Sequence, residues 1–130
     1  MPALLILQAM FLRSVTITQF KNYTHKRFGF DEMIVAITGA NGIGKTNLLD
    51  AIHYLCFTKS YFSGSDSNNV QHGMQGFRIE GHLQEGIEET VVSIVLRETG
   101  KKEINCNAVA YEKFSQHIGK YPCVVIAPDD

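Results

Sequence analysis

The chain has 130 residues, 45% of them hydrophobic and 19% charged, with a formal net charge of −1. That is the composition of one globular domain at most, and it excludes a disordered or repetitive chain. A near-neutral balance also excludes a global electrostatic field for nucleic acid, so any such contact must come from local clusters.

Residues 1–10 are apolar but lack the basic segment and cleavage site of a signal peptide, and they are too short to span a bilayer. Met10 is read as the natural start, with residues 1–9 an upstream extension and residues 10–130 one incomplete lobe. The absence of a membrane-spanning run points to the cytoplasm. Cys56, Cys106 and Cys123 are widely spaced and form no CxxC, which reads as three reduced thiols. The five histidines are equally scattered, and no pair has metal-ligand spacing.

Residues 11–20 (FLRSVTITQF) are rich in β-branched and aromatic types and predict a strand, with Phe11, Val15 and Ile17 on one face. Lys21, Asn22 and Tyr23 form a turn, and residues 25–30 a second strand in which Phe28 and Phe30 alternate. Residues 33–38 (MIVAIT) are continuously apolar, as in a strand buried on both faces. A helix is expected from Lys45 to Phe57, with Leu48, Leu49, Ile52, Leu55 and Cys56 toward the sheet. Residues 60–76 read as loop. Strands at 77–83, 90–97 and 102–108, with turns at Gly86 and Gly100-Lys101, make an antiparallel meander. Phe77, Ile79 and Leu83 share a face. Tyr111, Phe114 and Ile118 suggest a short helix stopped by Gly119, and residues 123–127 a last buried strand ended by Pro128.

The segment Gly39-Ala40-Asn41-Gly42-Ile43-Gly44-Lys45-Thr46 fits GxxxxGK[ST] at every fixed position. It follows an apolar strand and opens an amphipathic helix, which is the context the chemistry requires. Glycines let backbone N–H groups approach phosphate oxygens, and the helix N-terminus adds partial positive charge. Lys45 is expected to reach the β- and γ-phosphates of ATP, and the Thr46 hydroxyl to ligate Mg²⁺. A lysine aimed into a tight glycine turn has no structural purpose otherwise.

Asn41-Gly42-Ile43-Gly44-Lys45 is the form used by ABC-type and SMC-type ATPases. A longer stretch resembles the RecF family. Ser14 to Tyr23 (SVTITQFKNY) is similar to the strand and F-[KR]-N-[YF] turn that open those proteins, and Gly39 to Ile52 to their P-loop and helix. Lys59-Ser60-Tyr61-Phe62 sits where the family has a basic-Ser-aromatic segment, and residues 124–130 (VVIAPDD) resemble its apolar strand ending in Pro and acidic residues. The resemblance implies an α/β fold: the P-loop NTPase lobe of an ABC/SMC-type ATPase head, a mixed sheet with an antiparallel meander. It implies Lys21 and Asn22 near the nucleotide phosphates. Read alone, Lys21 is a solvated turn lysine.

For the full-length protein the resemblance implies a role in the DNA damage (SOS) response. That role includes ATP-dependent homodimerisation, binding to single-stranded and gapped duplex DNA, and work with partner recombination-mediator proteins to load recombinase. No membrane enters this picture. Family members are longer and carry a signature motif and an acidic Walker B strand further on. This chain alone is therefore expected to bind DNA weakly and not to turn over ATP. Asp129 and Asp130 superficially resemble a Walker B pair, but Pro128 intervenes. Rival readings are another SMC/ABC-type head, a small P-loop kinase, and a nucleotide-binding interaction module without turnover. A kinase lid is usually rich in arginine, whereas residues 60–130 hold only Arg78 and Arg97.

Overall fold

A computed structural model describes residues 10–30, 43–85 and 87–111. Among these residues six strands form one sheet: β1 (Met10–Phe20), β2 (Tyr23–Gly29), β3 (Phe77–Glu85), β4 (Glu88–Leu96), β5 (Lys102–Cys106) and β6 (Val109–Ala110). The order is β2-β1-β3-β4-β5-β6, and every pairing is antiparallel. The helix α1 (Ile43–Phe57) packs on β3 and β4. Between β2 and β3 the chain therefore leaves one sheet edge, builds α1 on a face, and returns beside β1. The two buried strands that would make the sheet mixed, at 33–38 and 123–127, lie outside the described residues, as does the short helix expected around Phe114 and Ile118.

One face of the sheet is apolar. Ile17 pairs with Ile79, Ile79 with Ile94, and Ile94 with Ile104, a row across four strands that is buried throughout. The opposite face carries Thr16, Glu80, Ser93 and Asn105 in matching register. Alternation of this kind is what an antiparallel sheet with one packed face requires. Helix α1 covers the apolar face with Leu48, Ala51, Tyr54 and Leu55. Ile52 packs only partly against that core, and Leu49 is half-buried. The expected stripe thus rotates toward Ala51 and Tyr54. Gly81 makes the close approach possible: a Cβ there would meet Leu55 Cδ1 at 2.5 Å.

Two local irregularities shift the phase of β1. A bulge between Leu12 and Ser14 places Leu12, opposite Leu83, on the core side. The side chain of Phe11, expected on the face of Val15 and Ile17, lies outside the described residues. At the other end Gln19 has a φ of 55°, which turns Phe20 inward. Phe20 is fully buried and meets Tyr54 and Phe77 edge-to-face, at 5.6 and 5.2 Å between ring centroids. Tyr54 and Phe77 close the triangle at 5.4 Å.

The final strand expected at 102–108 is shorter than its pattern suggests. Asn107 and Ala108 have φ of 52° and 68° and form a two-residue hairpin between β5 and β6. Two successive left-handed residues are the type I′ requirement.

Candidate functional site: the turn docked on the P-loop helix

Helix α1 begins at Ile43, inside the GxxxxGK[ST] motif, and has no acidic residue in its first turn. Its first turn thus carries no carboxylate that would oppose an anion at the helix end. Gly39, Ala40, Asn41 and Gly42 lie outside the described residues. For Ile43, Gly44, Lys45 and Thr46 the backbone is described as helix, but their side chains are not.

The turn after β1 lies along the first two turns of this helix. Asn47 is buried, and its Nδ2 donates to Asn22 Oδ1 at 2.6 Å. One turn further on, Lys21 Nζ donates to Asp50 Oδ2 at 2.8 Å. The Lys21 side chain keeps only 17% of its surface exposed and Asp50 none. Lys21 is therefore a half-buried, ion-paired residue and not a solvated turn lysine. Its φ is 52°, and its backbone N–H donates to Asn69 O at 2.8 Å. A non-glycine residue in the left-handed region costs on the order of 1 kcal/mol or more, so the surrounding contacts must hold it. Two of them are the Asn69 carbonyl and the buried ring of Phe20.

Asp50 is the polar centre of this region. It also accepts from Ser60 Oγ at 2.5 Å and from the Tyr61 backbone N–H at 2.7 Å. A fully buried carboxylate needs an opposite charge and donors for its lone pairs, and this one has both. The residues after α1 are thereby pinned to the helix. Ser60 Oγ in turn accepts from the N–H groups of Phe62 and Ser63, each at 3.1 Å. A second polar cluster lies further along α1. Tyr54 donates its hydroxyl to Asp66 Oδ1 at 2.7 Å and accepts from Asn69 Nδ2 at 2.8 Å. Burial and the adjacent Asp66 carboxylate both raise the Tyr54 pKa well above its ordinary value.

The helix C-terminus is closed from a distance. No basic residue lies in its last turn, but Lys102 of β5 donates to Thr58 O at 2.7 Å and pairs with Asp66 at 3.0 Å. A cation on the last carbonyls complements the helix dipole.

Among the expected site residues, the structure brings Lys21 and Asn22 to the P-loop helix together. The sequence reading missed Asp50 and the roles of Asn47 and Ser60. A signal was present: an acid within Leu48-Leu49-Asp50-Ala51-Ile52 is a charge in an apolar run, and such a charge is buried only with partners. No group of three or more metal-ligating side chains occurs among the described residues.

Residues 14–122 match the AAA domain family. The chain is 40% identical over 121 residues to the DNA replication and repair protein RecF of Flavobacterium johnsoniae, and 31% over 121 residues to that of Geobacillus thermodenitrificans. The chain belongs to the AAA-domain family and, within it, to the RecF proteins. Each alignment covers 93% of the chain, which spans about a third of these relatives' length, 34% and 32% respectively. Among solved structures, the recombination mediator protein RecF with ATP superposes with a TM-score of 0.83 at 25% identity, over 92% of this chain and 33% of that one. The SMC head domain of Thermotoga maritima superposes with a TM-score of 0.62 at 24% identity, over 82% of this chain and 40% of that one. The second likeness is one of fold. The antiparallel sheet and α1 share the arrangement of that head domain, which is the fold the family resemblance implies. No helix among the described residues is long and apolar enough to cross a membrane.

Proposed function

We propose that this chain binds ATP with Mg²⁺ through Gly39–Thr46, as the nucleotide-binding part of a cytoplasmic DNA repair and replication protein of RecF type. The observation that carries the reading is the docking of Lys21 and Asn22 along a helix that opens within a complete phosphate-loop motif. Such a helix end suits a triphosphate: backbone donors and dipole favour the anion, and no first-turn carboxylate opposes it. The RecF relative solved with ATP shares this fold, which supports the same ligand here.

On this reading Lys45 grips the β- and γ-phosphates, Thr46 holds the metal, and Lys21 and Asn22 stand beside the phosphates. The parent protein then binds single-stranded and gapped DNA in an ATP-dependent way, dimerises around nucleotide, and supports recombinase loading with partner mediator proteins. The relatives' naming as DNA replication and repair proteins supports that role. Turnover requires positioning and charge stabilisation around the γ-phosphate beyond ground-state grip, so the chain by itself is expected to bind ATP without sustained hydrolysis.

The test is calorimetric titration with Mg·ATP. Native chain should bind, and Lys45→Ala should weaken binding strongly while keeping its circular dichroism spectrum. Equal affinity in the two folded proteins would refute the reading.

A further inference from the structure

The Asp50 carboxylate joins two segments that the nucleotide reading alone does not connect. From one side comes Lys21, in the turn after β1. From the other come Ser60 Oγ and the Tyr61 N–H, in the residues after α1. Lys21 Nζ and Ser60 Oγ share the same oxygen, Oδ2. Ser60 passes the constraint on by accepting from the N–H groups of Phe62 and Ser63. The Lys21 ammonium also lies 5.4 Å from the Phe62 ring centroid, within cation–π range. What this network holds in place is a pair of exposed aromatics. Tyr61 is 55% and Phe62 46% exposed, with ring centroids 5.0 Å apart.

We infer that Asp50 is a positioning residue that ties the conformation of the Tyr61–Phe62 pair to the position of the Lys21 ammonium. The inference rests on the nucleotide reading above. A phosphate at the N-terminal end of α1 competes with Asp50 for that ammonium. When Lys21 shifts toward phosphate, Oδ2 loses its counter-charge and Phe62 loses the cation on its face. Among the described residues, the donors left on Asp50 both come from the segment bearing the aromatic pair. That segment then changes its environment when nucleotide binds.

The chain contains no tryptophan, so Tyr61→Trp gives a single fluorescent reporter at the aromatic pair. Mg·ATP is titrated into the reporter protein, with binding measured on the same sample by calorimetry. The emission should change along the calorimetric isotherm. Two further proteins carry the reporter with Asp50→Asn or with Lys21→Met. Asparagine keeps an acceptor for the Tyr61 N–H, and methionine keeps the aliphatic stem beside Phe20; each change still leaves a buried charge without its partner, so circular dichroism checks that both variants are folded before titration. Each is measured at saturating ATP, set from its own calorimetric affinity, and each should lose the emission change while still binding nucleotide. Lys21→Arg, which retains the charge, should restore it. Binding without any emission change in the reporter protein overturns this inference and leaves the nucleotide reading standing. A full response in both Asp50→Asn and Lys21→Met also overturns it. Absence of calorimetric binding in the reporter and native proteins alike overturns the nucleotide reading itself, and this inference with it.

Discussion

Replacing Phe20 by Ala tests whether the turn that carries Lys21 and Asn22 is held by one buried ring. Phe20 has no exposed surface and contacts Tyr54 from α1 and Phe77 from β3. Burying a phenylalanine removes roughly 150–250 Å² from water, worth about 4–6 kcal/mol at ~25 cal/mol per Å² as an upper bound. Truncations of buried aromatics typically cost about 3–5 kcal/mol, cavity included. For a chain of this length each kcal/mol lowers Tm by roughly 3–5 °C, so a fall of about 10–25 °C is expected. The assay is urea and thermal unfolding followed by far-ultraviolet circular dichroism, with Phe28→Ala as the control. Phe28 is only partly buried on edge strand β2, and its loss should cost clearly less. The folded fraction of Phe20→Ala should also bind nucleotide more weakly, because Lys21 and Asn22 lose their anchor. A loss of stability below about 1 kcal/mol, or one no greater than that of Phe28→Ala, would refute the reasoning.

Three further outcomes follow from single positions. Ala108 sits at φ 68° in the β5–β6 turn, so Ala108→Gly should raise stability by about 1 kcal/mol, read as a higher urea midpoint at unchanged slope. Gly76 has no room for a side chain, since a Cβ would lie 2.2 Å from Leu96 O. Gly76→Ala must therefore displace backbone at the start of β3 and lower Tm, whereas Gly64→Ala, with open space around it, should leave Tm nearly unchanged. Tyr111 is pushed up to about 12, first by burial and then by its hydrogen bond with Cys106, against an ordinary value of 10.0. Because the folded state keeps a proton that the unfolded state loses, this stability is present below about pH 10 and disappears as pH rises toward 12. Ultraviolet titration of phenolate should show it, and Cys106→Ala should move one tyrosine to lower pH.

Much of this architecture was legible in residue order. Period-two patterns mark β1, β3 and β4 because side chains alternate across a pleated sheet, and that rule is local. The GxxxxGK[ST] pattern at Gly39–Thr46 is visible in the sequence for the same local reason, since it is a matter of residue types at contiguous positions. The turn Phe20-Lys21-Asn22-Tyr23 was recognisable, but its conformation was not. Left-handed φ values at Gln19 and Lys21 reset the phase and send Phe20 inward, and neither residue type announces such a backbone. The same holds at Asn107-Ala108, where Ala occupies a position that favours glycine.

Amino-acid order by itself determined the strand-forming segments, the amphipathic helix and the GxxxxGK[ST] pattern, because each depends on neighbours within a few residues. Only the tertiary structure decided that β1 lies between β2 and β3, and that Lys21 meets Asp50 across 29 positions of sequence. It alone placed Lys102 on the Thr58 carbonyl just past the end of α1, 44 positions away. The reason is physical. A buried charge or an open helix end states in the sequence that it needs a partner, but any of several lysines could satisfy it. Which one does so depends on the packing of α1 against the sheet.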